Sequence, residues 1–157
     1  MNISEKPRKI NVVDGLLPVS PIQHLFWLSA SQESTMNHGR LNVRFVVQGP
    51  LSTEVINIAW LETVKHHPAL RASIKANKQD NPILIIRNEE GITNHSPICC
   101  PTTPSRNEIS LSDSPSSVLY VNQNHEKNTK FDWYCHHAFL DGWSAQIIVS
   151  DLSLIHI

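Results

Sequence analysis

Residues 136–144 read His-His-Ala-Phe-Leu-Asp-Gly-Trp-Ser, two adjacent imidazoles, the second of them four residues ahead of a carboxylate that a glycine follows. An imidazole titrates near neutrality, so this is a place where a proton can be taken from, or held beside, an attacking nucleophile. If 131–137 is a strand, its side chains alternate, with Phe131, Trp133, Cys135 and His137 on one face and Asp132, Tyr134 and His136 on the other. The two rings then point opposite ways, and one reacting centre uses only one of them. Asp141-Gly142 follows at a strand-to-helix turn, where the glycine tolerates unusual backbone angles and the aspartate can cap a helix from 143 onward. Three readings stay open on these residues alone: a catalytic base, a hydrogen-bonded structural histidine, and a metal ligand. Opposed rings and the lack of further ligands at regular spacing weigh against metal. A second pair, His66–His67, lies in KHHPALRAS at a helix end and reads as structural.

The elements that must position these residues are legible in the pattern. Residues 1–15 read as a flexible lead-in. Ser20-Pro21-Ile22-Gln23 is a capping box with proline at the first helical position, and Ile22, Leu25, Phe26 and Ser29 recur helically, which predicts a helix over about 21–31. Leu41–Gln48 alternates as a strand and stops at Gly49-Pro50. Ser52 caps a second helix over about 53–66, which Pro68 ends by pushing His67 out of helical geometry. Ala69–Ile74 and Ile83–Arg87 read as short strands, and the Ser-, Thr- and Pro-rich stretch at about 88–117 reads as a polar loop. Val118–Val121 and Thr129–His136 are expected to pair as a hairpin around Asn122–Asn128. Trp143, Ile147, Ile148, Leu152 and Ile155 mark a closing helix. This order predicts an α/β fold, a two-layer sandwich of helices on a mixed β-sheet. The apolar end, Leu154-Ile155-His156-Ile157, has no polar cap or stop signal, so a truncated C-terminus is expected.

Composition narrows the function classes. The chain has 157 residues, 40% apolar and 17% charged, the size of one modest domain. Thirteen basic against fourteen acidic residues leave a net charge of −1, which offers no electrostatic footprint for nucleic acid or an anionic membrane. The three cysteines, Cys99, Cys100 and Cys135, form neither a disulfide framework nor a CxxC zinc spacing, and a reduced, cytoplasmic setting is the expectation. No stretch has the form of a signal peptide or a membrane span.

Three segments together resemble one family. HHAFLDGWS fits His-His-x-x-x-Asp-Gly, the signature of the condensation domains of nonribosomal peptide synthetases and their relatives in the chloramphenicol acetyltransferase-like, CoA-dependent acyltransferase superfamily. LLPVSPIQHLFWLSAS (16–31) is similar to the family's opening helix motif, and HHPALRASI (66–74) is similar to its Arg-His-x-x-Leu-Arg-Thr segment through His67, Leu70 and Arg71. The order of the three, over residues 16–152, is the family's order.

The resemblance implies a chloramphenicol acetyltransferase-like fold, with residues 16–157 covering little more than its N-terminal lobe. It implies that His137 is catalytic, as general base or as positioning group. His136, Asp141 and Gly142 would be supporting residues, with Asp141 ion-paired to an arginine and Gly142 letting the chain pass close to the reacting centre. The reaction implied joins an acyl or peptidyl thioester to the amine of an aminoacyl thioester. Both substrates would ride on the phosphopantetheine arms of carrier protein domains, with no metal, nucleotide or directly bound cofactor. Expected partners are those carrier domains, adjacent synthetase domains and the missing C-terminal lobe. Two alternatives remain: an O-acyltransferase of the same superfamily using acyl-CoA and an alcohol, and a catalytically silent fragment or docking module.

Overall fold

The computed structural model describes residues 13–30, 39–88, 98–99, 109–112, 117–124 and 128–154. Two antiparallel pairings dominate. Strand β2 (Arg40–Gln48) pairs along its whole length with β7 (Asn128–His136), from Arg40 opposite His136 to Gln48 opposite Asn128. On its other side β7 pairs with β6 (Ser117–Asn124). The two-residue strand β5 (Ile98–Cys99) runs parallel to β6, giving a four-stranded mixed sheet of order β2-β7-β6-β5. A second sheet has order β1-β4-β3, made of β1 (Val13–Pro18), β4 (Pro82–Arg87) and β3 (Ala72–Ala76), all antiparallel. The α/β architecture is as expected, but the strands divide between two sheets.

Alternation makes the larger sheet a platform. Phe131, Trp133 and Cys135 of β7, with Leu119 and Val121 of β6, present one apolar face. Helix α2 (Thr53–His66) covers it with Ile56, Ala59, Trp60 and Val64, and helix α3 (Gly142–Leu154) with Ala145, Ile148 and Leu152. Directly opposed Phe45 and Phe131 stack at 4.7 Å, and Trp60 meets Trp133 edge-on at 6.1 Å. The buried Trp133 indole N–H donates to Ser117 Oγ at 2.7 Å, so the core leaves no cost there.

The second helix matches its expected span because its ends are chemically marked. The Ser52 hydroxyl accepts the Val55 N–H at 3.1 Å, and past the last turn the chain enters a 3-10 turn, Pro68–Arg71. That turn replaces the first three residues of the strand expected over Ala69–Ile74; β3 starts only at Ala72. The reason is Arg71. Its guanidinium is buried and donates to the carbonyls of Val64 and Lys65, both at 3.2 Å, in the last turn of α2. It also donates to Arg87 O at the end of β4 and to Asp14 Oδ2 at 2.9 Å on β1. One side chain thus closes a helix C-terminus and ties it to the smaller sheet. His67 adds a second tie, its Nε2 lying 2.8 Å from Asp151 Oδ2 of α3, a structural contact, while His66 is exposed.

Other expectations need correction. β1 begins at Val13, inside the stretch read as a lead-in; residues 1–12 lie outside the described residues. Within the segment read as a polar loop, Ile98–Cys99 forms β5, Ile109 and Leu111 are buried, and Leu111 O accepts the Ile74 N–H at 2.8 Å. Apolar residues spaced among Ser and Pro were enough to fill gaps on the two sheets. Ile155, expected in the closing helix, lies outside the described residues. Among the described residues no helix is long and apolar enough to cross a membrane.

Candidate functional site

β7 ends at His136, and residues 137–139 turn towards α3. The strand therefore stops one residue before the alternation would have carried His137 onto the buried face of Phe131, Trp133 and Cys135. The outcome is the reverse of that phase: His136 is buried, at 4% exposure, and His137 is exposed. The two histidines therefore differ in burial, although both rings lie beside that of Phe26.

Each ring has a defined bonding state. His136 Nδ1 accepts the Ala138 N–H at 3.1 Å, and its ring meets Phe26 edge-on at 5.5 Å and Phe139 at 6.1 Å. It is a framework residue. His137 Nδ1 lies 2.8 Å from Leu140 O. A carbonyl oxygen only accepts, so Nδ1 carries the proton, and in the neutral ring the lone pair sits on Nε2. The His137 backbone N–H donates to Gly39 O at 2.5 Å, and its ring rests 5.9 Å from Phe26. An exposed imidazole with its tautomer set by a local carbonyl can take a proton from a group approaching out of solvent.

Among the described residues Asp141 caps a helix, as its place at the strand-to-helix turn predicts. Its Oδ1 accepts both the Ser144 N–H and the Ser144 hydroxyl at 2.7 Å, starting α3. Those bonds, the backbone one first, hold its carboxyl below the usual carboxylate range. A depressed folded-state value means that this contribution to stability is fully present above the unfolded carboxylate range and is lost as pH falls through the folded value. Asp141→Asn, which still accepts hydrogen bonds at an N-cap, is expected to flatten the acid limb of a stability-against-pH curve without changing its neutral plateau greatly. Thermal unfolding followed from neutral to acid pH checks this.

Gly142 is the first residue of α3. A Cβ placed there meets nothing within 4 Å among the described residues, and its φ is not left-handed. The glycine that the site needs is Gly39, which nothing in the motif pointed to. Its φ is +83°, and a Cβ there would lie 2.8 Å from both His136 Cε1 and Phe26 Cε1. A glycine just ahead of an alternating strand was the available signal. Gly39→Ala is expected to cost about 2 kcal/mol, from the unfavourable φ and from displaced rings, and to loosen the His137 amide. Urea unfolding with amide exchange at His137 measures both.

The neighbouring thiol is chemically quiet. Burial pushes Cys135 up to about 12, so it stays a protonated packing residue. An open cavity of about 180 Å³ lies between the 3-10 turn and α3, lined by Pro68, Ala69, Leu140, Ile147 and Ile148; it does not include His137. No cluster of three metal-ligating side chains occurs among the described residues.

Comparison with known proteins adds the following. A family model described as Condensation domain matches residues 13–156. Chondramide synthase cmdD of Chondromyces crocatus is 29% identical over 119 residues, which cover 69% of this chain and 3% of that protein. The nonribosomal peptide synthetase sirP of Leptosphaeria maculans is 26% identical over 166 residues, 92% of this chain and 8% of that protein. Among solved structures, the starter condensation domain of rhizomide synthetase RzmA superposes with a TM-score of 0.76 at 15% identity, over 90% of this chain and 37% of that one. The first condensation domain of the calcium-dependent antibiotic synthetase, solved with a substrate analogue, gives 0.72 at 16% identity, over 91% and 39%. These likenesses show the fold, and the chain spans well under half of the solved domains.

Proposed function

The chain belongs to the condensation-domain family, and on that premise we propose that it supplies the histidine side of a site that forms an amide bond between a thioester donor and an amine acceptor. His137 Nε2 would accept the proton as the amine nitrogen attacks the thioester carbonyl. The C–N bond forms, the C–S bond breaks, and the proton passes to the departing sulfur. The observation that carries this reading is the 2.8 Å contact between His137 Nδ1 and Leu140 O on an exposed ring, which leaves Nε2 as the basic atom facing solvent. The quiet Cys135, the thiol next to the two histidines, is not a site on which an acyl group would be parked.

By the same reading the substrates arrive on the phosphopantetheine arms of carrier protein domains, and the partners are those carriers, adjacent synthetase domains and the remainder of the condensation fold. Two substrates have to be held in register by both walls of a cleft. Turnover is therefore expected from this chain together with the rest of its domain, not from residues 13–156 alone.

The test gives that intact domain two substrate sets, carrier-bound acyl and aminoacyl thioesters in one and an acyl-CoA with an alcohol in the other, and reads products by mass spectrometry. Amide from the first set is expected. Ester from the second set alone would move the assignment to O-acyl transfer, and no product from either would refute an enzymatic role.

A further inference from the structure

The first helix, α1 (Pro21–Ala30), faces the protein with an unexpected side. Ile22 and Leu25, expected on its inner face, are each 59% exposed, whereas the polar Gln23 is turned inward with Phe26 and Trp27. A helix that leaves aliphatic side chains largely in water and turns an amide inward forgoes apolar burial, so the amide must be held by specific bonds. The amide is compensated by two bonds. Its Oε1 accepts the Ser20 N–H at 2.9 Å, completing the capping box with the Gln23 N–H on Ser20 Oγ at 3.3 Å. Its Nε2 donates at 3.1 Å to the carbonyl of Ala138, 115 residues away.

Ala138 is the middle of the turn that carries His137. That turn is held from one side by Gly39 O on the His137 N–H, and from the other by Gln23 on Ala138 O. One residue group along the same helix face, Phe26 lays its ring against both imidazoles. We propose that Gln23 is a positioning residue for His137: its side-chain amide couples the start of α1 to the 137–139 turn and so fixes the turn whose last carbonyl partner, Leu140 O, sets the tautomer. The inference rests on the reading of His137 as the reacting group. Its two bonds separate cleanly by chemistry, since the helix cap needs only the acceptor oxygen and the turn needs only the donor nitrogen.

Three variants of the intact domain exploit that separation. Gln23→Glu keeps an acceptor for Ser20 N–H but cannot donate to Ala138 O. Gln23→Leu loses both and carries no charge, so a change shared by these two belongs to the lost donor. Ser20→Ala removes the hydroxyl half of the cap and leaves the Ala138 bond. The readouts are the ring ¹⁵N shifts of His137, which report its tautomer, amide exchange at Phe139, and kcat against KM for amide formation. Gln23→Glu and Gln23→Leu are expected to mix the two tautomers, speed exchange at Phe139 and lower kcat about tenfold at near-normal KM; Ser20→Ala is expected to do none of these. A His137 spectrum unchanged in Gln23→Glu, or Ser20→Ala matching it, overturns the proposal. The ring spectrum needs no turnover, so it decides the coupling even if His137 itself proves dispensable, which would sink the functional reading instead.

Discussion

His137→Gln in the intact domain is expected to lower the rate of amide formation at saturating substrates by about 10²–10⁴-fold while the protein stays folded. The magnitude is that of losing a positioned general base. The fold should survive because the side chain is exposed and makes one described hydrogen bond, to Leu140 O, which the glutamine amide N–H can still supply. Single-turnover formation of product, read beside circular dichroism, separates the two effects. A rate within threefold of the parent would mean that Nε2 moves no proton in the slow step. His136→Gln gives the contrasting result: that ring is buried between Phe26 and Phe139 and accepts the Ala138 N–H, so its loss should show first as instability.

Arg71→Ala is expected to destabilise the chain by about 3–5 kcal/mol, the range for breaking a buried, charge-assisted network. Four acceptors depend on this one guanidinium: the Val64 and Lys65 carbonyls at the end of α2, Arg87 O on β4, and the Asp14 carboxylate on β1. Lysine keeps the charge but has no planar fork, so Arg71→Lys should recover only the part due to Asp14. Urea midpoints of the two variants, with Asp14→Asn as a third, measure the split. A cost under 1 kcal/mol for Arg71→Ala would show that water satisfies the freed carbonyls.

Much of this architecture was legible from marked ends and clean alternation. Ser52 and Pro68 bracket α2, and the run from Leu41 to Val47 sets the face of β2 that packs on α2 and α3. The elements that escaped are those whose cause lies elsewhere in the fold. β1 contains Gly15 and Pro18, shows little burial, and exists because β4 pairs with it. β5 is two residues long and, among the described residues, pairs with β6 in parallel. The turn at Pro68–Arg71 follows from the burial of Arg71, and the inner face of α1 follows from a bond between Gln23 and a carbonyl 115 residues away. At the candidate site the motif singled out the histidine that the structure exposes. It could not supply Gly39 or Gln23, because neither is adjacent to the motif and each acts through the backbone of the turn.

The register of β2 on β7 has a consequence for biosynthesis. Arg40 lies opposite His136, so the first half of the central pairing leaves the ribosome long before its mate. During that interval Leu41, Val43, Phe45 and Val47 form an apolar ribbon with no partner, while β6 and β7 can zip together as soon as both are made. The turn at 137–139 can form only after β7 has been made, and the newborn polypeptide spends that wait as a substrate for chaperones or for clumping with its neighbours.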